Sequence, residues 1–137
     1  MTDKQTLEPG SPARTHGSDQ RPPRELWSAL RGIDIAEVAA RLGGEPAFLT
    51  DGRNAETIHH DDTARVVVSV VAADKEIGAE RNDEYVILTM TEGEGVLTRG
   101  DDVMPIAPGT TAIVAPGATW SFHAVRPTTF LICSWSS

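Results

Sequence analysis

Asn82-Asp83-Glu84-Tyr85-Val86-Ile87-Leu88-Thr89-Met90-Thr91-Glu92-Gly93-Glu94-Gly95 is the stretch that decides the fold. Its apolar, β-prone middle ends in a Glu-Gly-Glu-Gly turn, so it reads as a strand running into a tight hairpin. Working outward, the same texture repeats. Val96-Leu97-Thr98 leads to a polar turn at Arg99-Gly100-Asp101-Asp102, then to the strand-like Val103-Met104-Pro105-Ile106 and a turn at Pro108-Gly109. Thr110 to Val114 follows, before a further turn at Pro116-Gly117. Short β-rich runs separated by Gly, Pro and Asp clusters at intervals of about eight to twelve residues predict an all-β sandwich or barrel.

Upstream, Pro46 opens a change to strand texture. Ala47-Phe48-Leu49 is expected as a strand, followed by a turn at Asp51-Gly52, Glu56 to His60, a turn at Asp61-Asp62, and the run from Arg65 to Val71. Val66-Val67-Val68-Ser69-Val70-Val71 is β-branched on both faces, which predicts a strand covered on both sides by a second sheet or a partner subunit. Thr128 to Trp135 closes the chain as a last strand. Residues 1–23 hold too few apolar side chains to offset ordering entropy and are expected to be a disordered tail. Residues 24–45 read as a short helical arm. Leu26, Trp27 and Leu30 share one helical face, and a second helix is capped by Asp34 and carries Ile35, Val38, Ala39 and Leu42, with left-handed glycine at Gly43-Gly44 expected to end it. Residues 46–137 are then the β-barrel domain.

Charge and composition exclude several classes. The 137 residues suit one domain, and the formal net charge of −8 lies on the part after the charge-balanced first 23 residues. Nucleic-acid binding is therefore not expected, and the tandem helices carry only Arg24, Arg31 and Arg41 as cations, too few for a phosphate backbone. Cys133 is alone, which rules out an internal disulfide, and its neighbours Leu131, Ile132 and Trp135 predict a buried thiol. No run reaches the roughly 20 apolar residues of a membrane span, and the polar start lacks a signal-peptide core, so a cytoplasmic protein with no membrane partner is expected. Nucleophile elbow, phosphate loop, dinucleotide fingerprint and His-Glu-x-x-His motifs are absent. Ser69, Ser121 and Ser134 have no neighbouring base in sequence.

The turn glycines and strand rhythm from about residue 56 onward resemble the cupin superfamily, the RmlC-like double-stranded β-helix or jelly-roll barrels. That family's second motif, Gly, five residues, Pro-x-Gly, two residues, His, three residues, Asn, falls on Gly109, Gly117, Trp120 and Ala124, with the proline displaced by one place to Pro116. Its first motif, anchored on Gly93, puts Asp74 at the opening Gly, Glu80 and Asn82 at the two His, and Val86 at the Glu. A two-residue slip that keeps the strand's facing puts Glu84 at the Glu instead. The resemblance implies an all-β cupin-like barrel. It also implies a metal held by three His and one carboxylate, yet the residues here supply no histidine at those places, so no cofactor is expected and a divalent metal is the alternative. His59, Glu84 and His123 are the candidate ligands for such a metal.

The family's facing directs Glu80, Asn82, Glu84, Val86, Leu88 and Met90 inward from one strand and Trp120 and Phe122 from another. Polar groups at one end and apolar ones at the other suit a small-molecule pocket, though the same apolar residues equally suit a filled core. Adjacent His59 and His60 must face opposite sides, and His123 has the opposite parity to Trp120. They read as rim residues, or one of them pairs with Glu84 or Glu80 as acid and base. The expected function is binding of a small organic ligand by Glu80, Asn82, Glu84, Val86, Leu88, Trp120 and Phe122 without the family's metal. The alternatives are an isomerase, lyase or dioxygenase-like enzyme with Glu84 or Glu80 as the catalytic group, or a dimeric sensor or interaction module. A homodimer is expected in either case.

Overall fold

A computed structural model describes residues 30–79 and 83–135, and every statement below refers to those residues. The expected tail, most of the first helix, and Glu80 and Asn82 lie outside them. Leu30 and Arg31, at the end of that expected helix, are not helical. Helix α1, Ile35–Gly43, begins where Asp34 accepts a hydrogen bond from the Glu37 N–H at 3.1 Å, which satisfies one of the open donors of the first turn. Its end differs from expectation. Gly44 is right-handed (φ −98°), and the left-handed glycine is Gly52, which closes a second helix α2, Pro46–Asp51.

The predicted strand at Ala47-Phe48-Leu49 is therefore a helical turn. Pro46 presets φ at the first helical position, and Gly52 (φ 75°) turns its N–H back onto the Phe48 carbonyl at 2.7 Å. Three residues were too few to display a period, and these two end signals decide the matter.

Seven strands follow, all pairing antiparallel: β1 Arg53–His60, β2 Ala64–Val71, β3 Glu76–Ala79, β4 Tyr85–Arg99, β5 Asp102–Ile106, β6 Thr111–Val114 and β7 Trp120–Trp135. They run in the order β1-β2-β7-β4-β5, with β3 on β7 and β6 on β4. The two long strands β4 and β7 pair from end to end, so the hairpin expected at Glu92-Gly93-Glu94-Gly95 does not form; β4 runs on through it, and both strands bend there because β4 slips register between Met90 and Gly95. Glycine is required at that bend. A Cβ on Gly93 would stand 2.5 Å from the Thr128 Cα, and one on Gly95 would stand 2.3 Å from both the His123 carbonyl and the Phe122 ring.

The bend rolls the sheet onto itself. Val86, Leu88, Met90 and Phe130 from one half meet Leu97, Phe122, Trp120 and Ile106 from the other in one buried cluster. Phe122 and Phe130, on the two arms of β7, touch edge to face with ring centroids 4.6 Å apart. A second cluster lies outside the barrel, where Leu42 with Val38 and Ile35 of α1 and Phe48 of α2 cover Ile58, Val68 and Val70. The strand β2 is thus covered on both sides, and on its outer side the cover comes from this chain's own helices. Arg41 reaches from α1 to the buried Glu56 and also bonds Glu45 at 3.0 Å, while the Asn54 amide ties the Leu42 carbonyl at 3.1 Å.

Candidate functional site

The start of β4, the end of β6 and both ends of β7 converge at one end of the barrel. Val86 pairs with Ser134 on one side and Val114 on the other, and the loop after Val114 leads directly into Trp120. Arg99, the last residue of β4, pairs with Trp120 and donates from Nε to the Ala115 carbonyl at 2.9 Å and from Nη2 to the Pro116 carbonyl at 2.8 Å. The guanidinium thereby fixes the loop that closes this mouth.

The expected inward residues divide by depth. Glu84 is half-buried at the mouth, while Val86, Leu88 and Met90 are buried in succession below it. Phe122 is fully buried and Trp120 is 6% exposed, both inside the central cluster. Val86, Leu88 and Phe122 thus pack as core. Trp120 differs, because its indole Nε1 is buried and has no hydrogen-bond partner, the one such side-chain atom among the described residues. A buried N–H left unbonded costs about 1–3 kcal/mol, so this atom is a polar group that its surroundings do not satisfy.

The histidines do not join Trp120. A bulge between Thr57 and His59 turns His59 to the outer face, where Arg31 Nη2 donates to its Nδ1 at 2.9 Å. The hydrogen is therefore on Nε2, which donates to Asp61 Oδ2 at 2.8 Å. Partial burial alone would raise the Asp61 carboxyl. Hydrogen bonds from His59, the Thr63 and Ala64 N–H groups and the Thr63 hydroxyl outweigh it and hold the carboxyl well below its usual range. His123 is exposed and faces Glu76 at 3.5 Å. His60 reaches the mouth's outer lip, where it lines a polar cleft of about 240 Å³ with Glu84, Arg65 and Ser134.

His59, Glu84 and His123 are thus not assembled, and no three His, Cys, Asp or Glu converge on a metal position among the described residues. At the place where the resemblance has its metal-binding His, the indole of Trp120 offers only a donor. The described residues do not fit a transition metal. Cys133 is half-buried rather than buried, since it lies on the outer face of β7, and its partial burial still pushes the thiol up.

The sequence marks Arg99 as part of a polar turn, whereas the structure pairs it with Trp120 on the inner face. Along β4 the buried positions are 86, 88 and 90 before the bend and 95 and 97 after it, so the slipped register exchanges the two faces. A strict alternation carried through from Val86 assigns position 99 to the wrong side.

Comparison with solved structures places this architecture among the cupins. An uncharacterised conserved protein with a double-stranded β-helix domain from Klebsiella pneumoniae superposes with a TM-score of 0.65 at 18% identity, over 77% of this chain and 90% of that one. A cupin superfamily protein from Desulfitobacterium hafniense gives 0.60 at 14% identity over 91% of this chain and all of the other. An RmlC-like cupin protein from Desulfovibrio desulfuricans gives 0.55 at 21% identity over 61% of this chain and 81% of that one. No family profile matches the sequence, and no curated protein does. The fold is therefore that of the cupins, an all-β double-stranded β-helix with two short helices against its outer face. No helix among the described residues is long and apolar enough to cross a membrane.

Proposed function

We propose that this barrel binds a small organic molecule at the mouth bounded by Trp120, Arg99 and the Ala115–Thr119 loop, without a metal. The observation that carries this reading is the buried, unpartnered Trp120 Nε1. Below the mouth the barrel is filled by Phe122, Phe130 and Leu88, so the ligand is small and enters no deep cavity. Glu84 lines a separate polar cleft with His60, Arg65 and Ser134. A soluble, cytoplasmic binding protein is part of the same reading.

The test is a thermal-shift screen of small polar organic molecules against the full chain and Trp120→Phe, which keeps an aromatic ring and removes the N–H. Saturable stabilisation of the parent that Trp120→Phe loses supports the proposal, since a ligand that binds only the folded state raises its stability. Chelation should leave the melting temperature unchanged. Near-stoichiometric metal in protein purified without added metal would sink the metal-free reading.

A second reading is favoured by His60 and Glu84 lining one cleft, an arrangement of acid and base that an isomerase or lyase uses. Turnover of a bound ligand, abolished in both Glu84→Gln and His60→Gln, would establish the enzyme in place of the binding protein.

A further inference from the structure

Resting on the small-molecule reading above, we infer that the ligand carries a carboxylate, held between the Trp120 indole N–H and the Arg99 guanidinium. Arg99 and Trp120 are direct register partners on neighbouring strands, so their side chains leave the same face of the sheet. That face is the interior one, because the next pair along, Leu97 and Phe122, is buried in the core. Arg99 is half-buried as a residue and donates to two backbone carbonyls through Nε and Nη2, and among the described residues Nη1 keeps both its hydrogens. Among the described residues no carboxylate pairs with it. Asp102, its register partner on β5, is exposed and forms no ion pair with it.

A cation whose partners among the described residues are carbonyls attracts an anion, and a planar guanidinium matches a carboxylate in particular. The indole, a donor only, independently demands an acceptor at the same register position. Against the chain's net charge of −8, Arg99 supplies the local positive potential that a small acid needs at this mouth.

Indole resonances of the ¹⁵N-labelled full chain provide the test. The Trp120 signal is assigned by its loss in Trp120→Phe. Acetate, butyrate and benzoate are titrated at constant ionic strength, beside acetamide, butyramide and benzamide, and inorganic phosphate. A saturable shift of the Trp120 indole proton is expected, with carboxylates binding about tenfold or more tighter than the matching amides. Arg99→Gln should remove that preference, and Arg99→Lys, which keeps the charge and loses the planar fork, should retain only part of it. If amides bind as well as carboxylates, or if Arg99→Gln leaves the preference intact, the carboxylate inference falls and the small-molecule reading survives. Preferential binding of phosphate overturns the carboxylate assignment in favour of another oxoanion. No saturable shift with any probe overturns both readings. Should Arg99→Gln fail to fold, the comparison of acids with amides on the parent chain still decides.

Discussion

Trp120 combines two features that usually separate, since its ring is part of the core and its buried nitrogen has no hydrogen-bond partner. Truncation and isosteric replacement therefore read different things. Trp120→Ala should cost about 3–5 kcal/mol in denaturant unfolding, as for other large buried aromatics. Trp120→Phe should cost much less, because it removes the unbonded N–H along with part of the ring. A Trp120→Ala loss below about 1 kcal/mol would contradict the packed position described here. Asp61 presents a different residue-scale test. Its native carboxyl lies below the unfolded value, so its contribution is fully present above about pH 4 and disappears as the pH falls toward the native value. Melting temperatures of Asp61→Asn should lie below those of the parent at pH 6 and converge with them as the pH is lowered through the acid range. A constant gap at every pH would show that the carboxylate's charge is not what matters.

At the scale of elements, the bend in β4 is the structural hinge of the barrel, and Gly95 is its most constrained point. Alanine there would overlap the Phe122 ring and the His123 carbonyl, one an anchor of the core and the other backbone, so neither can yield cheaply. Gly95→Ala should therefore destabilise by at least about 1–3 kcal/mol. Alanine at Gly100, where φ is 58° and no atom lies within 4 Å of an added Cβ, should cost only the strain of a left-handed residue. Comparable losses at both positions in chemical denaturation would mean that close approach is not the governing term at Gly95. The helices form the other element-scale feature. Arg41 binds Glu56 beneath α1, and Arg41→Ala should loosen the helical cover, seen as faster amide exchange in α1 ahead of the barrel strands.

For the whole molecule, the covering of β2 by α1 and α2 moves any partner surface elsewhere. The outer sheet face stays open farther along, where Ile113 is 68% exposed beside half-buried Ile87 and Cys133 and the stacked Tyr85 and Trp135 rings. This patch carries no charged side chain on a chain of net charge −8, so two copies can meet there without facing like charges. The homodimer expected from the sequence is accordingly predicted at this face. Sedimentation equilibrium should return twice the chain mass for the parent and the single mass for Ile113→Lys. A monomeric parent at high micromolar concentration would remove the prediction.

Local chemistry made much of this protein legible before folding. The turns at Gly100, Pro108-Gly109 and Pro116-Gly117, the apolar runs between them and the Asp34 cap each act over a few residues and reappear in the barrel and in α1, whereas Gly93 and Gly95 mark a bend inside β4 and not the expected hairpin. The inward facing of Val86, Leu88, Trp120 and Phe122 was legible as well, because within one unbroken strand side chains alternate strictly. The helix at Pro46 escaped because its end signals outweigh the texture of three residues between them. What tertiary structure alone decided comes from distance along the chain. The slip in β4 reversed the faces beyond Met90 and turned Arg99 inward, and the roll of the sheet filled the barrel with Phe122 and Phe130. The helices took the outer face of β2, and burial left the Trp120 nitrogen without a partner, because accessibility and hydrogen bonding belong to the packed chain and not to any segment of it.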